Sequence, residues 1–290
     1  MANIIMIQGT ASGAGKSVLA AALCRIFTRD GYKTAPFKTQ NMSSVCHKLA
    51  DGGKMARSQA LAAYACMEEP ESDMNPILLI PSSGTGAEVI VNGKTHGVMA
   101  PGEYSEFKLC AFEKALEAFN RLAASHDIIV AEGAGSPVEL NLNQNDIANM
   151  GLAVRVNAPV ILTADILRGG VFASLYGTVS LLPGEQRTLI KGMIVNKFKG
   201  DVKYFGNGRD ILERICGVPV LGVIPYADIR LEDEDSLMDA GNIMKTKESL
   251  GIRREDYTGF LNEEFDRLAA HIRENLNMGQ IYSILKDGVS

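Results

Sequence analysis

Gly9-Thr10-Ala11-Ser12-Gly13-Ala14-Gly15-Lys16-Ser17 holds the residue types and spacing best suited to chemistry in this 290-residue chain. Backbone N–H groups of a glycine-rich loop can surround a phosphate chain, a lysine can neutralise its β- and γ-oxygens, and a serine hydroxyl can complete a magnesium shell. That chemistry requires the loop to sit between a strand and a helix. The apolar run Ile4-Ile5-Met6-Ile7 in front and the apolar-periodic run 18–27 behind meet this requirement. The spacing therefore predicts a nucleoside-triphosphate site, in which Lys16 faces solvent when the loop is empty. A glycine-rich turn with a chance lysine is the plainer alternative. The loop departs from the common G-x-x-x-x-G-K-[ST] pattern: Thr10 stands where the first glycine is expected, and the glycine lies one residue earlier, at Gly9.

A second able group follows Asp127-Ile128-Ile129-Val130-Ala131, which reads as a central strand. It delivers Glu132-Gly133-Ala134-Gly135-Ser136 to the sheet edge that carries the phosphate loop. A carboxylate there can hold magnesium directly or through water, and the small residues after it let a ligand approach the backbone; a turn or helix-capping glutamate is the alternative. Lys38, Arg57 and Arg168 are candidates to hold carboxylates or phosphates, with solvated surface cations as the other reading. Lys38 ends a strand over 33–38, Arg57 lies in a helix over 55–64, and Arg168 follows a strand over 159–165.

The elements that must position these residues alternate along the chain. Apolar runs at 75–81, 159–165, 190–195 and 219–224 read as strands, and 88–92 with Gly93 as an extended piece turning back on itself. A polar loop spans 39–54. The stretch 106–125 places Phe112, Leu116, Phe119 and Leu122 on one helical face, and a further helix runs from Gly170 through Leu182. This alternation predicts an α/β fold, a doubly wound, mainly parallel sheet with helices on both faces. With 46% hydrophobic residues, one main domain over 1–230 is expected. Residues 231–256 are dense in charge and turn formers and read as a connection; 261–285 reads as a terminal helix that packs on the domain or on a partner subunit.

A net charge of −5 with no basic block argues against nucleic acid or an anionic membrane as the main partner, and no apolar run approaches the roughly 20 residues that cross a bilayer. The five cysteines form no C-x-x-C pair. In a chain that starts directly on a strand they read as reduced thiols in a cytoplasm.

The loop Gly-Thr-x-x-Gly-x-Gly-Lys-Ser resembles that of dethiobiotin synthetase and of ATP-dependent amide-forming enzymes of corrin biosynthesis. Longer strings narrow the resemblance: Met6 to Ser12, Pro36-Phe37-Lys38-Thr39-Gln40-Asn41-Met42, Val89-Ile90-Val91-Asn92-Gly93-Lys94, Glu132-Gly133-Ala134-Gly135-Ser136-Pro137, residues 146–152 and 168–178, and Asn196-Lys197-Phe198. Over residues 3–237 the chain resembles the synthetase domain of the cobyric acid synthase family. The resemblance implies a P-loop NTPase fold of the dethiobiotin synthetase type. It also implies amidation of side-chain carboxylates of adenosylcobyrinic acid a,c-diamide through an acyl phosphate, with ATP, magnesium and ammonia released from glutamine. Carried over, Gly13, Ala14, Gly15, Lys16, Ser17 and Val18 would line the triphosphate, Ser17 and Glu132 would hold magnesium, Asn196 would lie near the adenine, and Asp146 would help order substrate and metal. Related folds imply a homodimer.

The family's usual glutaminase half carries a cysteine in a Gly-x-Cys-x-Gly elbow, which no cysteine here has. Cys46, beside His47 in a polar loop, reads as a plain thiol. The chain looks as though that domain had been excised at 238–256, so ammonia would be taken free or from a separate glutaminase subunit. Lys54 replaces the family's usual glutamate, Ile80 its lysine, and Leu167 the second aspartate of Asp-Ile-Asp-Arg. These changes leave open an amide ligase for another tetrapyrrole or polycarboxylate, a dethiobiotin-synthetase-like carboxylase, and a catalytically decayed nucleotide-dependent regulator.

Overall fold

A computed structural model describes residues 2–82, 84, 86–141, 145–228 and 257–287. Its strands are β1 (Asn3–Gly9), β2 (Thr34–Phe37), β3 (Gln40–Met42), β4 (Cys46–Lys48), β5 (Lys54–Ala56), β6 (Ile77–Pro81), β7 (Ala87–Val91), β8 (Lys94–Met99), β9 (Ile128–Glu132), β10 (Val160–Asp165), β11 (Ile190–Phe198) and β12 (Val220–Pro225). The helices are α1 (Lys16–Arg29), α2 (Arg57–Ala65), α3 (Pro101–Ser125), α4 (Met150–Arg155), α5 (Val171–Leu181), α6 (Gly184–Arg187), α7 (Gly208–Cys216), α8 (Tyr257–Asn275) and α9 (Met278–Asp287).

The main sheet has six strands in the order β12-β11-β10-β1-β9-β2, and every neighbouring pair is parallel. Strands buried on both faces read as near-continuous apolar runs, because successive side chains point to opposite sides. β1 obeys this: Met6 joins the core under α3 and α5, while Ile5 and Ile7 join the core under α1 and the C-terminal helices. β9 repeats it, with Ile129 and Ala131 on one side and Ile128 and Val130 on the other. The doubly wound sheet expected from the alternation is what forms.

Three expectations change. The polar stretch 39–54 is not one loop: β3 pairs in parallel with β6, and β4 and β5 make a small antiparallel ribbon. Such three-residue strands are too short for a period to register in sequence. The run 75–81 supplies β6, which belongs not to the main sheet but to a four-stranded one, β3-β6-β7-β8, in which the piece turning back at Gly93 is the β7–β8 hairpin. The single helix expected over 261–285 is two, α8 and α9. Between them Leu276 forms an antiparallel bridge with Gly222 of β12, and Asn277 donates its N–H to the Leu221 carbonyl at 2.8 Å. A Cβ on Gly222 would lie 2.3 Å from the Asn275 carbonyl oxygen, so this crossing requires glycine.

The C-terminal pair packs back on its own domain. Arg25 of α1 is fully buried, donates to the Asn262 carbonyl at 3.1 Å, pairs with Asp266 at 3.2 Å and lies over the Phe265 ring. A buried guanidinium is tolerated only when so engaged. Residues 231–256, expected as a connection, lie outside the described residues. Among the described residues no helix is long and apolar enough to cross a membrane. Arg25→Ala removes these bonds and leaves a void between α1 and α8. Urea unfolding is expected to show a loss of about 3 kcal/mol, and an unchanged midpoint would mean that α8 docks by apolar contact alone.

Candidate active site

β1 ends at Gly9, and the chain turns through Gly13 and Gly15, both at positive φ, before α1 begins at Lys16. Gly15 is at φ +90, and a Cβ on it would fall 2.1 Å from Asn196 Nδ2, so no other residue fits there. The first-turn amides of α1 therefore end at the loop, where the helix is positive. Lys16 does not face solvent. It is 8% exposed, and its ammonium donates to the carbonyls of Ala11 at 3.0 Å and Gly135 at 3.1 Å. A lysine drawn over its own loop becomes buried, and a buried ammonium must find acceptors, which these carbonyls supply.

Strand order brings Glu132 to this loop. β9 flanks β1 with Glu132 opposite Ile7, and β2 flanks β9 with Phe37 opposite Ala131, so the residue after Phe37 arrives level with Glu132. Lys38 Nζ lies 3.0 Å from Glu132 Oε1, and both side chains are 6% exposed. The same oxygen accepts from Ser17 Oγ at 2.7 Å. Two hard oxygens, a hydroxyl and a carboxylate, thus meet beside the first turn of α1. Such a sparse donor set suits magnesium, which takes one or two protein ligands and completes its octahedron with phosphate oxygens and water. Among the described residues no cluster of three or more His, Cys, Asp or Glu side chains could hold a metal by itself.

On the other flank, Asn196 at the end of β11 is buried, and its Nδ2 donates to the Ala14 carbonyl at 3.0 Å. Ala14 is a buried residue of the loop, and Val18 packs against the α1 core. Arg168 is 72% exposed on the rim, 3.8 Å from Asp165. Asp146 lies fourteen positions beyond Glu132 and is tied to the loop after it through the backbone. Its Oδ1 accepts the N–H groups of Ala148 and Asn149 at 2.9 Å and its Oδ2 that of Gly151 at 2.9 Å, which fixes the start of α4. Asn149 then donates to the carbonyls of Ala134 at 2.7 Å and Ser136 at 3.3 Å, and accepts the Ala134 N–H at 3.0 Å, holding the loop that follows Glu132. Sequence reasoning passed over Asn149 and Lys197. The only available signal was their place inside the strings 146–152 and 196–198.

Residues 5–237 match the family described as CobQ/CobB/MinD/ParA nucleotide binding domain. The chain belongs to this family. Among curated relatives it is 48% identical over 274 residues to a cobyric acid synthase of Lachnoclostridium phytofermentans, covering 91% of this chain and 53% of the relative. It is 48% identical over 254 residues to one of Streptococcus sanguinis, covering 87% and 51%, and 52% identical over 235 residues to one of Clostridium botulinum, covering 81% and 48%. The chain thus spans about half the length of the curated relatives it matches.

Lys54, Ile80 and Leu167, the departures expected from the sequence, fall at separate places in the fold. Lys54 pairs with Glu88 at 3.0 Å between β5 and β7, and Ile80 packs on the small core of Ala56, Leu78 and Ile90, both off the main sheet. Leu167 is 42% exposed in the turn after β10, and its N–H donates to Asp165 Oδ1 at 2.7 Å. Arg57 donates to the Tyr257 hydroxyl at 2.9 Å and approaches His47 Nδ1 at 3.4 Å, joining β4 to the start of α8. Cys46 is half-buried, and burial pushes its thiol above the ordinary value, the opposite of what a nucleophile needs.

Gly15→Ala is expected to abolish nucleotide binding in a fluorescent-nucleotide titration while leaving the far-UV spectrum intact; retained affinity would mean that Asn196 can yield. At pH 7.5 Cys46 is expected to alkylate more slowly than the exposed Cys110, with a rate that rises with pH as its thiol deprotonates above the ordinary range. Peptide mapping reads this directly, and preferential labelling of Cys46 would mark it as activated.

Proposed function

We propose that this chain is an ATP-dependent amide ligase acting on side-chain carboxylates of (adenosyl)cobyrinic acid a,c-diamide in cobalamin biosynthesis, with residues 1–230 as its synthetase domain. The observation that carries the reading is the convergence of Ser17 and Lys38 on one oxygen of Glu132 beside a phosphate loop, in a chain about half identical to proteins named cobyric acid synthase. A carboxylate is a poor acylating agent until its oxygen takes the γ-phosphoryl group of ATP. Ammonia then attacks the acyl carbon, the C–O bond to phosphate breaks, and amide, ADP and phosphate result. Most of what a protein can add to phosphoryl transfer is position and electrostatics.

On this reading the loop 13–18 cradles the triphosphate, and Lys16 exchanges the Ala11 and Gly135 carbonyls for phosphate oxygens. Ser17 and Glu132 would hold magnesium, which would supply charge neutralisation for the triphosphate. Lys38, buried against Glu132, pairs with that carboxylate and holds it in place. Asn196 holds the loop from the adenine side, Asp146 acts through the start of α4 on the loop after Glu132, and Arg168 on the open rim receives an anionic substrate group. Nitrogen arrives as ammonia, free or from a separate glutaminase, and the working unit is a homodimer.

The reading is tested by incubating the protein with ATP, magnesium and adenosylcobyrinic acid a,c-diamide, with either ammonium or glutamine, and following ADP and product mass. Amidation with ammonium is the expected outcome. ADP without a mass change would point to another acceptor, and nucleotide binding with neither would favour a regulator. Glu132→Gln is expected to raise the magnesium concentration for half-maximal ADP release by about tenfold or more, since a charged ligand becomes neutral; an identical magnesium titration removes Glu132 from the metal.

A further inference from the structure

Lys197 takes no part in the chemistry above, yet it is held in an unusual way. Its φ is +62, in the left-handed region that a non-glycine residue keeps only when its surroundings hold it there. Its own N–H donates to Asn196 Oδ1 at 2.8 Å, and its ammonium reaches the Gly13 carbonyl of the phosphate loop at 2.6 Å and Asp165 Oδ2 at 3.4 Å. Asp165 is fixed in turn by the Leu167 N–H. Two successive residues at the end of β11 therefore grip two successive loop carbonyls, Lys197 that of Gly13 and Asn196 that of Ala14.

A peptide unit is planar and trans, so its C=O and the following N–H point in opposite directions. Holding the Gly13 oxygen toward β11 aims the Ala14 N–H away from β11, and holding the Ala14 oxygen does the same for the Gly15 N–H. A row of inward N–H groups is what receives an anion, whereas a carbonyl that swung inward would repel it. We propose that Lys197, oriented by Asp165, is a positioning residue for the nucleotide: by holding the Gly13 carbonyl it presets the Ala14 N–H for the phosphates. The inference rests on reading the loop as a nucleotide site. It assigns the pair to affinity and preorganisation.

Binding of a fluorescent ATP analogue with magnesium, together with hydrogen exchange of the nucleotide-free protein, tests it. Lys197→Met keeps the stem and removes the donors; it is expected to weaken binding about tenfold or more, the worth of a charge-assisted hydrogen bond, and to speed exchange at Ala14 and Gly15 but not later in α1. Lys197→Arg is expected to restore most of the affinity, and Asp165→Asn to fall between. Affinity within about twofold of the wild type in Lys197→Met, or weaker binding without faster exchange at Ala14, would overturn the proposal while leaving the nucleotide site standing. A wild-type protein that binds no nucleotide would remove both. Should Lys197→Met not fold, Lys197→Arg and Asp165→Asn decide: loss in Asp165→Asn with retention in Lys197→Arg supports the clamp, and full affinity in Asp165→Asn overturns the role given to Asp165.

Discussion

The bond from Ser17 to the Glu132 carboxylate, with Lys38 on the same oxygen, is the constraint around which the rest of the structure is arranged. Three side chains from three elements can meet only if β1, β9 and β2 lie side by side in parallel with the register observed. A slip of one residue would turn Glu132 to the opposite face. The fit of the two cores fixes that register, because a slip would also put Ile129 and Ala131 where Ile128 and Val130 pack under α1. The site is therefore specified by the two cores. A buried ion pair is weak support for stability, since desolvation of both charges offsets their attraction. What the pair does fix is position: the Glu132 carboxylate is held beside Ser17 at the start of α1.

The loop itself is held from both sides. From β11 come the bonds of Asn196 and Lys197 to Ala14 and Gly13; from the β9 side the Lys16 ammonium ties Ala11 to Gly135. Glycines give the chain freedom to make this turn, and that freedom would cost binding energy if the loop were left loose. The neighbouring strands remove it beforehand. Gly15 and Asn196 therefore act together: the small residue makes room for the amide that holds the Ala14 carbonyl.

Much of this was legible in the sequence, because the loop, its flanking runs and the Glu132 string are local. Strand, phosphate loop and helix need only adjacent residues, and a buried parallel strand shows itself as an unbroken apolar run. The direction of Lys16 was not legible: it depends on the Gly135 carbonyl, 119 positions away, whose approach is set by strand order. The same holds for Asp146, whose type suggests chemistry but whose oxygens receive three backbone N–H groups at the start of α4. β3, β4 and β5 escaped because each is three residues long. The break between α8 and α9 escaped because helical spacing continues through Leu276, whereas the contacts at the break, Leu276 with Gly222 and the Asn277 N–H with the Leu221 carbonyl, are made with distant β12.

The C-terminal helices bear on the site through α1. Its first residues, Lys16 and Ser17, belong to the phosphate loop, while Arg25 and Arg29, two turns and more further on, engage Asn262 and Asp266 of α8. Past the end of the helix, Asp30 receives Arg273 at 2.6 Å and the Tyr282 hydroxyl. An α-helix of 14 residues is stiff on this scale, so fixing its far end against α8 and α9 limits how its N-terminus can tilt against Glu132. Arg57 adds a second tie, from α2 to Tyr257 at the start of α8. Residues 257–287 thus cover the back of the phosphate-loop helix. The geometry at Ser17 depends on contacts made more than two hundred positions later in the chain.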